Sequence, residues 1–194
     1  MTTNTERSEA TRGALVAVAR ELFASSGYAD TSIEEIVRRA DVTRGALYHH
    51  FADKRDVFRA VYEAVESELT AGIAAVVMGE ARPERRLLAG VEAFLDACLD
   101  PAVQRIVLLD AAAVLGWDEM HELEQKYGLG MMTAALQNAM DEGVVEPEPV
   151  APLAQMLLGA LTEAGLAIAR ADDVALARRE FGDAAARLLA GLAP

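Results

Sequence analysis

The stretch TSIEEIVRRADVTRGALYHHF, residues 31–51, decides the fold class. Its first half is typical of a short helix, because Thr31 or Ser32 can cap it and two glutamates stand in the first turn, where the helix dipole favours acidic side chains. The tripeptide DVT then makes a turn, and Thr43 can cap a second short helix. Two helices joined by so short a turn predict a helix-turn-helix over residues 32–51, whose second helix would enter the major groove of DNA.

The second helix, TRGALYHHF, carries side chains suited to contact with DNA. Arg44 can donate to guanine O6 and N7 or to a phosphate. Gly45 would let the helix approach a phosphate backbone or the facing helix closely. Adjacent side chains on a helix point about 100° apart, so His49 and His50 are not expected to chelate one metal ion.

The pattern extends on both sides of this stretch, over residues 9 to about 65. Its matching positions are Gly27, Tyr28, Thr31, Ile33, Ile36, Ala40, Val42, Gly45, Leu47, Tyr48, Phe51 and Lys54. In this order they resemble the DNA-binding region of the TetR family of bacterial transcriptional regulators. The resemblance implies an all-helical homodimer with an N-terminal DNA-reading domain and a larger C-terminal domain that binds an effector and dimerises. Asp41 departs from the pattern, since the turn usually has glycine there, but Asp adopts the left-handed conformation better than most residues.

The resemblance also implies which side chains face DNA. Those expected to touch phosphates are Thr31 or Ser32, Thr43, Tyr48, His49 and Lys54, those expected nearest to bases are Thr43, Arg44 and His49, and Gly45 and Ala46 complete the set. The alternative is an ordinary solvated surface whose arginines pair with Glu34, Glu35 and Asp41.

Charge divides the chain into two parts. Residues 1–62 carry nine basic and nine acidic side chains, whereas residues 63–194 carry nine basic and 22 acidic ones. A zero balance is low for a DNA-binding region, so a local basic face would have to supply the attraction to phosphates. The acidity belongs to the second part, which indicates two bodies with different partners.

Helical spacing recurs along the whole chain and strand alternation is absent, which predicts an all-α fold of about nine helices. We expect a flexible tail at residues 1–8, a DNA-binding domain at 9–56 and an effector-binding and dimerisation domain at 57–194. Charges interrupt the apolar runs, so no membrane span is expected. The first residues lack an apolar signal-peptide core, and a cytoplasmic protein is expected.

The last two helices, roughly residues 152–169 and 173–192, are predicted to form a dimer interface. Small residues on the first of them would allow two helices to approach closely, and a two-fold dimer would then form an isologous four-helix contact. The alternative is that these residues pack within one subunit. The predicted interface residues are Gly159, Ala160, Glu163, Ala167, Phe181 and Leu188.

An effector pocket is predicted among the helices at 87–98, 102–114 and 117–140. Its candidate lining residues are Phe94, Cys98, Leu108, Trp117, Met120, His121, Tyr127, Met131 and Met132. Such a set can also be plain core, and a lone cysteine is usually a small buried apolar residue. His121 stands among acidic residues, where a solvated face is favoured over a metal site. The acidic surplus would favour a cationic effector, although most of these carboxylates are expected on the outer surface.

The motif predicts a protein that binds double-stranded DNA, and the resemblance implies a ligand-responsive transcriptional regulator. We expect a repressor released from a pseudo-palindromic operator by a small apolar or amphipathic effector, without a cofactor or metal. An activator, or a regulator without a small ligand, stays open. An enzyme on a helical scaffold would need a nucleophile–base or metal constellation, and no such motif is visible in a sequence with one cysteine and three histidines.

Overall fold

The structure, a computed structural model, describes residues 4–193, apart from the side chains of Asn4, His121 and Glu124. Over that range the chain forms nine continuous helical stretches and no strand, which confirms the predicted all-α fold. The helices are α1 (Asn4–Asp30), α2 (Ile33–Arg39), α3 (Arg44–His50), α4 (Lys54–Gly79), α5 (Pro83–Ala97), α6 (residues 101–115), α7 (residues 117–141), α8 (Val150–Arg170) and α9 (Val174–Ala190).

Side-chain caps begin the helices around the predicted motif. Ser32 Oγ accepts from the Glu35 amide at 3.1 Å, and Thr43 Oγ1 accepts from the Ala46 amide at 3.1 Å. Asp53 caps α4 in the same way, since its carboxylate accepts from the Asp56 amide. Each cap satisfies an amide that lacks a partner inside its own helix, which fixes where α2, α3 and α4 start.

The first helix begins inside the predicted tail. Because α1 starts at Asn4, residues 4–8 are helical rather than a separate flexible tail, and residues 1–3 lie outside the described range. Glu6 stands in its first turn, where an acidic side chain is favourable. Near its other end α1 is kinked at Gly27, whose φ of 81° lies in the left-handed region.

Helix α4 is shared between the two parts of the chain. Its first turns bury Val57, Phe58 and Val61 in one continuous core with α1, α2, α3 and α6. Its later turns pack on α5. The predicted boundary between residues 56 and 57 therefore falls within a helix that belongs to both regions.

The α6–α7 turn is fastened to the start of α4. Arg55 donates from Nε to the Val114 carbonyl at 3.1 Å and from its terminal nitrogen to the Leu115 carbonyl at 2.7 Å. Both Arg55 and Arg59 form ion pairs with Glu119, the second at 2.7 Å. A displacement of this turn would therefore act directly on α4.

Helix α8 corrects the expectation that no segment could span a bilayer. Its 21 residues are long enough and apolar enough by length and composition alone. Only 22% of its most apolar 18-residue window is buried, so much of this apolar helix is uncovered in a single chain. One such helix is weak evidence for a membrane span.

Candidate DNA-binding surface and effector cavity

Helix α3 has one face in the core and the other in solvent. Leu47 is fully buried and Phe51, just after the helix, is 3% exposed, so these two side chains anchor α3, which packs on α1 and α2, in the core. The opposite side presents Arg44, Tyr48 and His49, all of which are exposed. This is the orientation that the motif predicts for a DNA-reading helix.

The turn before α3 survives the substitution of glycine by aspartate. Asp41 has a φ of 53°, the left-handed conformation for which the sequence predicted tolerance. The Val42 amide still donates to the Val37 carbonyl at 3.1 Å, which closes the end of α2. The geometry of the motif is thus kept at the departing position.

The arginines of the motif form ion pairs with glutamates of the same protein. Arg44 lies 2.5 Å from Glu34, and its other terminal nitrogen donates to the Tyr48 hydroxyl at 3.3 Å. Arg38 and Arg39 both bind Glu35, and these hydrogen bonds hold the pKa of the Glu35 carboxyl below its ordinary value.

The predicted alternative, in which the arginines pair with Glu34 and Glu35, therefore describes the molecule without DNA. Pairs this exposed contribute little to stability, so phosphates or bases can replace their carboxylates at small cost.

Thr31 is misplaced in the predicted DNA-binding set. Its side chain is almost fully buried, with 3% of the residue exposed, and its hydroxyl donates to the Gly27 carbonyl at 2.8 Å. The hydroxyl stabilises the kinked end of α1 and does not face the outer side of the motif. Ser32 is the exposed member of the pair and caps α2, and its contact with a phosphate stays a prediction.

Lys54 points toward the end of α1. Its Nζ donates to the carbonyls of Tyr28 and Thr31, both at 2.8 Å, and lies 4.2 Å from the centre of the Tyr28 ring. An ammonium group is favourable there, where helix carbonyls lack partners. The structure gives Lys54 a role in joining α4 to α1, and its contact with phosphate stays a prediction.

Gly45 is not required by packing within the chain. A Cβ added there would meet only the Thr43 hydroxyl, at an ordinary distance of 3.8 Å. The expectation that Gly45 lets the facing helix approach closely is therefore wrong. The other expectation, close approach to a phosphate backbone, stays a prediction. Ala46 beside it is half-buried. The rings of His49 and His50 meet edge to face with their centres 5.1 Å apart, and His50 also lies beside Phe51.

The C-terminal region contains a partly open cavity of about 270 Å³. Its walls come from α4, α5, α6, α7 and α8 and are mostly apolar. Both π-helical segments, Val103–Asp110 and Gln125–Leu129, contribute to the wall through Val107, Leu108 and Gly128. Such segments often occur at functional sites, and this cavity is the candidate effector site.

The predicted lining residues divide into two groups. Phe94, Leu108, Met120, Met131 and Met132 do line the cavity, as predicted. The other candidates whose side chains are described do not. They are Cys98, Trp117 and Tyr127, while the side chain of His121 lies outside the described part of the chain.

Each of these three residues lies outside the cavity lining for a physical reason. Cys98 packs against Gly165, and burial raises the pKa of its thiol to about 12, so it is an inert core residue. Tyr127 packs on the large N-terminal core. Trp117 is 81% exposed, because it follows Gly116, whose φ of 79° turns the chain outward at the start of α7.

The sequence interpretation missed the wall formed by α4. Tyr62 and Glu66 both line the cavity, and the Tyr62 hydroxyl lies 3.2 Å from Glu66 Oε1. A signal was present, since a glutamate lies within the apolar stripe of α4, one residue after Val65. A charged residue at a position expected to be buried is more informative than an apolar one.

The predicted dimer residues lie mostly on one uncovered face. Gly159, Ala160 and Glu163 of α8 are exposed, as is Leu188 of α9, while Ala167 is half-buried. Met156, 74% exposed, extends this face and was not predicted. Phe181 instead packs inside the subunit, against the cluster that includes Val91 and Leu95.

Comparison with known proteins shows that two family models match this chain. Residues 15–61 match the family model for bacterial regulatory proteins of the TetR family, and residues 84–192 match the model for the tetracyclin repressor-like C-terminal domain.

Three proteins illustrate the likeness. A TetR-family transcriptional regulator from Pectobacterium atrosepticum shares 35% identity, with a TM-score of 0.88 over 99% of this chain and 98% of its own. The Transposon Tn10 TetC protein of Escherichia coli is 29% identical over 71% of this chain and 69% of its own length. The HTH-type transcriptional regulator AcrR of Shigella flexneri is 42% identical over 64 residues, 33% of this chain and 30% of that protein.

The proteins from Pectobacterium atrosepticum and Shigella flexneri are named as transcriptional regulators, and none of the three is named as an enzyme. The matches cover both the helix-turn-helix and the helical region that holds the cavity. The chain belongs to the TetR family of bacterial DNA-binding transcriptional regulators.

Proposed function

We propose that this protein is a cytoplasmic, non-enzymatic repressor that a small apolar or amphipathic effector releases from a pseudo-palindromic operator. One observation carries the proposal: the first turn of α7 both lines the cavity and binds the start of α4, the helix that packs under the DNA-binding region. Met120 lines the cavity, and its neighbour Glu119 binds Arg55 and Arg59 at the start of α4. An occupant that moves Met120 would therefore act on the helix beneath the DNA-binding core.

A dimer is part of the proposal, because one helix-turn-helix reads only half of a palindromic site. The uncovered face of α8 and α9 supports it: Met156 and Leu188 are large, apolar and exposed, and Gly159 leaves room beside them. Two such faces would form an isologous contact. That contact also explains why so apolar a helix is largely uncovered in a single chain.

Release follows from the geometry of two half-sites. Recognition helices must reach major grooves about 34–36 Å apart, so a small change in their spacing lowers operator affinity. The effector can shift this equilibrium only by its difference in affinity for the two arrangements.

The proposal is tested by selecting genomic fragments with the purified protein and then releasing the bound DNA with a panel of metabolites. We expect enrichment of a two-fold symmetric sequence and release by at least one amphipathic compound. Failure to enrich any sequence would contradict operator binding. Enrichment without release by any compound would favour an activator or a regulator without a small ligand.

A further inference from the structure

The inner face of α1 continues beyond the core that it covers. Leu15, Ala19 and Phe23 lie on this face and are fully buried. Arg12 and Ser8 share the face, three and seven residues before Leu15, because side chains at these spacings lie on one side of a helix. Arg12 is exposed, and among the described residues no side chain of α1 before Leu15 belongs to the core. The face that covers the core therefore becomes polar and cationic where the core ends.

Arg12 lies at the end of the DNA-reading helix. Its guanidinium carbon is 5.2 Å from the centre of the Phe51 ring, and Phe51 directly follows the last residue of α3. The Phe51 ring also contacts His50, with the ring centres 6.4 Å apart. A cation held over an aromatic ring in this way gains an attraction to the face of the ring. The contact positions an otherwise flexible arginine beside the end of α3.

Arg12 differs from most arginines of this region in its ion pairs. The arginines before residue 63 that bind carboxylates are Arg20, Arg38, Arg39, Arg44, Arg55 and Arg59. Within residues 4–193, Arg7 and Arg12 form no ion pair with a described side chain, and Lys54 donates to main-chain carbonyls. Arg12 can therefore bind an external anion without giving up a carboxylate. Its planar guanidinium also suits the geometry of a phosphate.

We propose that Arg12 binds a phosphate of the DNA backbone beside the groove that α3 enters, so that the DNA-binding surface extends from the helix-turn-helix to α1. The major groove is about 12 Å wide, and a helix inside it has a sugar–phosphate backbone along each side. The inference rests on the proposed binding of α3 to DNA and adds a contact outside the motif. A phosphate contact positions the protein and carries no sequence information. Readout of a base and a purely structural role are the competing roles.

Fluorescence anisotropy of the full chain with labelled DNA duplexes tests the contact. One duplex has a random sequence and the other has the sequence that genomic selection enriches, and affinity is measured from about 50 to 200 mM salt. The variants are Arg12→Gln and the control Arg179→Gln. Arg179 lies on α9, is exposed like Arg12, and also forms no ion pair with a described side chain, so the control removes the same charge far along the chain.

We expect Arg12→Gln to weaken binding to both duplexes by about the same factor, because every sequence has the same backbone. The slope of log affinity against log salt should become shallower by about 0.9 for each phosphate contact that is lost. Arg179→Gln should leave affinity and slope unchanged. An unchanged slope in Arg12→Gln, or a loss of affinity for the selected duplex alone, would overturn the inference.

Two further variants separate the contact from a structural role. Arg12→Lys keeps the charge and should keep the slope, and a slope as shallow as that of Arg12→Gln would overturn the inference. If Arg12→Gln does not fold, as judged by circular dichroism, Arg12→Ala takes its place, since alanine favours helix. Failure of both to fold would assign Arg12 a structural role and overturn the inference. A wild-type protein that binds neither duplex would contradict the proposed function as well, whereas wild-type binding with an unchanged Arg12→Gln would contradict the inference alone.

Discussion

The region of α1 to α3 and the region of α5 to α9 differ in what they leave uncovered. The first buries its apolar side chains in a core and presents polar and cationic groups on α3. The second contains an apolar cavity and leaves apolar side chains exposed on α8 and α9. The difference fits the proposal that the first region meets DNA through α3, while the second accommodates a ligand and a second subunit.

The largest expected effect comes from the uncovered face of α8. Gly159→Arg would place a charged side chain where no other atom lies within 4 Å in a single subunit, so folding should be unaffected while the dimer contact is blocked. Light scattering should fall from about twice 20.7 kDa to one chain. Operator affinity should fall on the order of 100-fold or more, because the two half-sites would no longer be bound together.

Gly72→Arg is the matched control for that change. Gly72 is also exposed, with nothing within 4 Å of an added Cβ, but it lies on α4 away from the predicted interface. This variant should remain a dimer. A wild-type monomer at micromolar concentration, or a Gly159→Arg dimer, would contradict the interface on α8 and α9.

The next effect concerns base recognition by α3. Arg44→Ala should weaken operator binding by about 1–3 kcal/mol and relax the preference at one base position, if the arginine makes a bidentate contact with guanine. Binding to random DNA should change much less. Arg82→Ala is the control, since Arg82 is a similarly exposed arginine, paired with Glu80, in the C-terminal region. Unchanged discrimination in Arg44→Ala would exclude this residue from direct base readout.

Local rules explain why so much of the first region could be predicted. The caps at Ser32 and Thr43 and the turn at Asp41 depend on neighbours within a few residues, and the structure confirms all three. Contacts between distant residues were not predictable in this way. The bonds from Lys54 to the carbonyls of Tyr28 and Thr31, at and just after the end of α1, join positions more than twenty residues apart.

The cavity depended even more on distant contacts. The sequence predicted Phe94 and Met131 as candidate lining residues, but it could not show whether they line an open space or belong to a filled core. The position of Glu66 on the cavity wall and the exposure of Trp117 depend on the packing of helices that are distant in sequence, so local spacing did not predict them. The sequence analysis also did not predict the two π-helical segments.

Lys54 provides a test between a structural role and a DNA contact. Lys54→Ala should lower the free energy of unfolding by about 1–3 kcal/mol, because carbonyls at the end of α1 lose a charged donor. Thermal unfolding measures this, with Lys126→Ala, a change at an exposed lysine, as the control. If Lys54 acts mainly on phosphate, its loss should instead leave stability unchanged and reduce the salt dependence of DNA binding by about one charge.

A smaller effect on stability is expected at Gly45. Alanine there meets no close atom and favours helix, so stability should stay equal or rise by up to about 1 kcal/mol. DNA affinity should nevertheless fall, if the glycine lets the backbone approach a phosphate. Gly13→Ala, at an exposed and equally open position on α1, should leave DNA binding unchanged. A Gly45→Ala protein that binds operator as well as the parent would show that close approach is not required.

The smallest effect is expected at the one tryptophan, and it separates the outside of the cavity from its wall. Trp117 is 81% exposed and does not line the cavity, although Met120, three residues later, does. Its fluorescence should be that of a water-exposed indole and should stay at the same wavelength when an amphipathic compound that releases operator DNA is added. Phe94→Trp in a Trp117→Phe background supplies the contrast, because position 94 lies on the cavity wall and its emission should respond to the same additions. If Trp117 shifts to shorter wavelength on ligand binding, the α6–α7 turn buries it, and the ligand-bound arrangement then differs at the turn that holds Arg55 and Arg59.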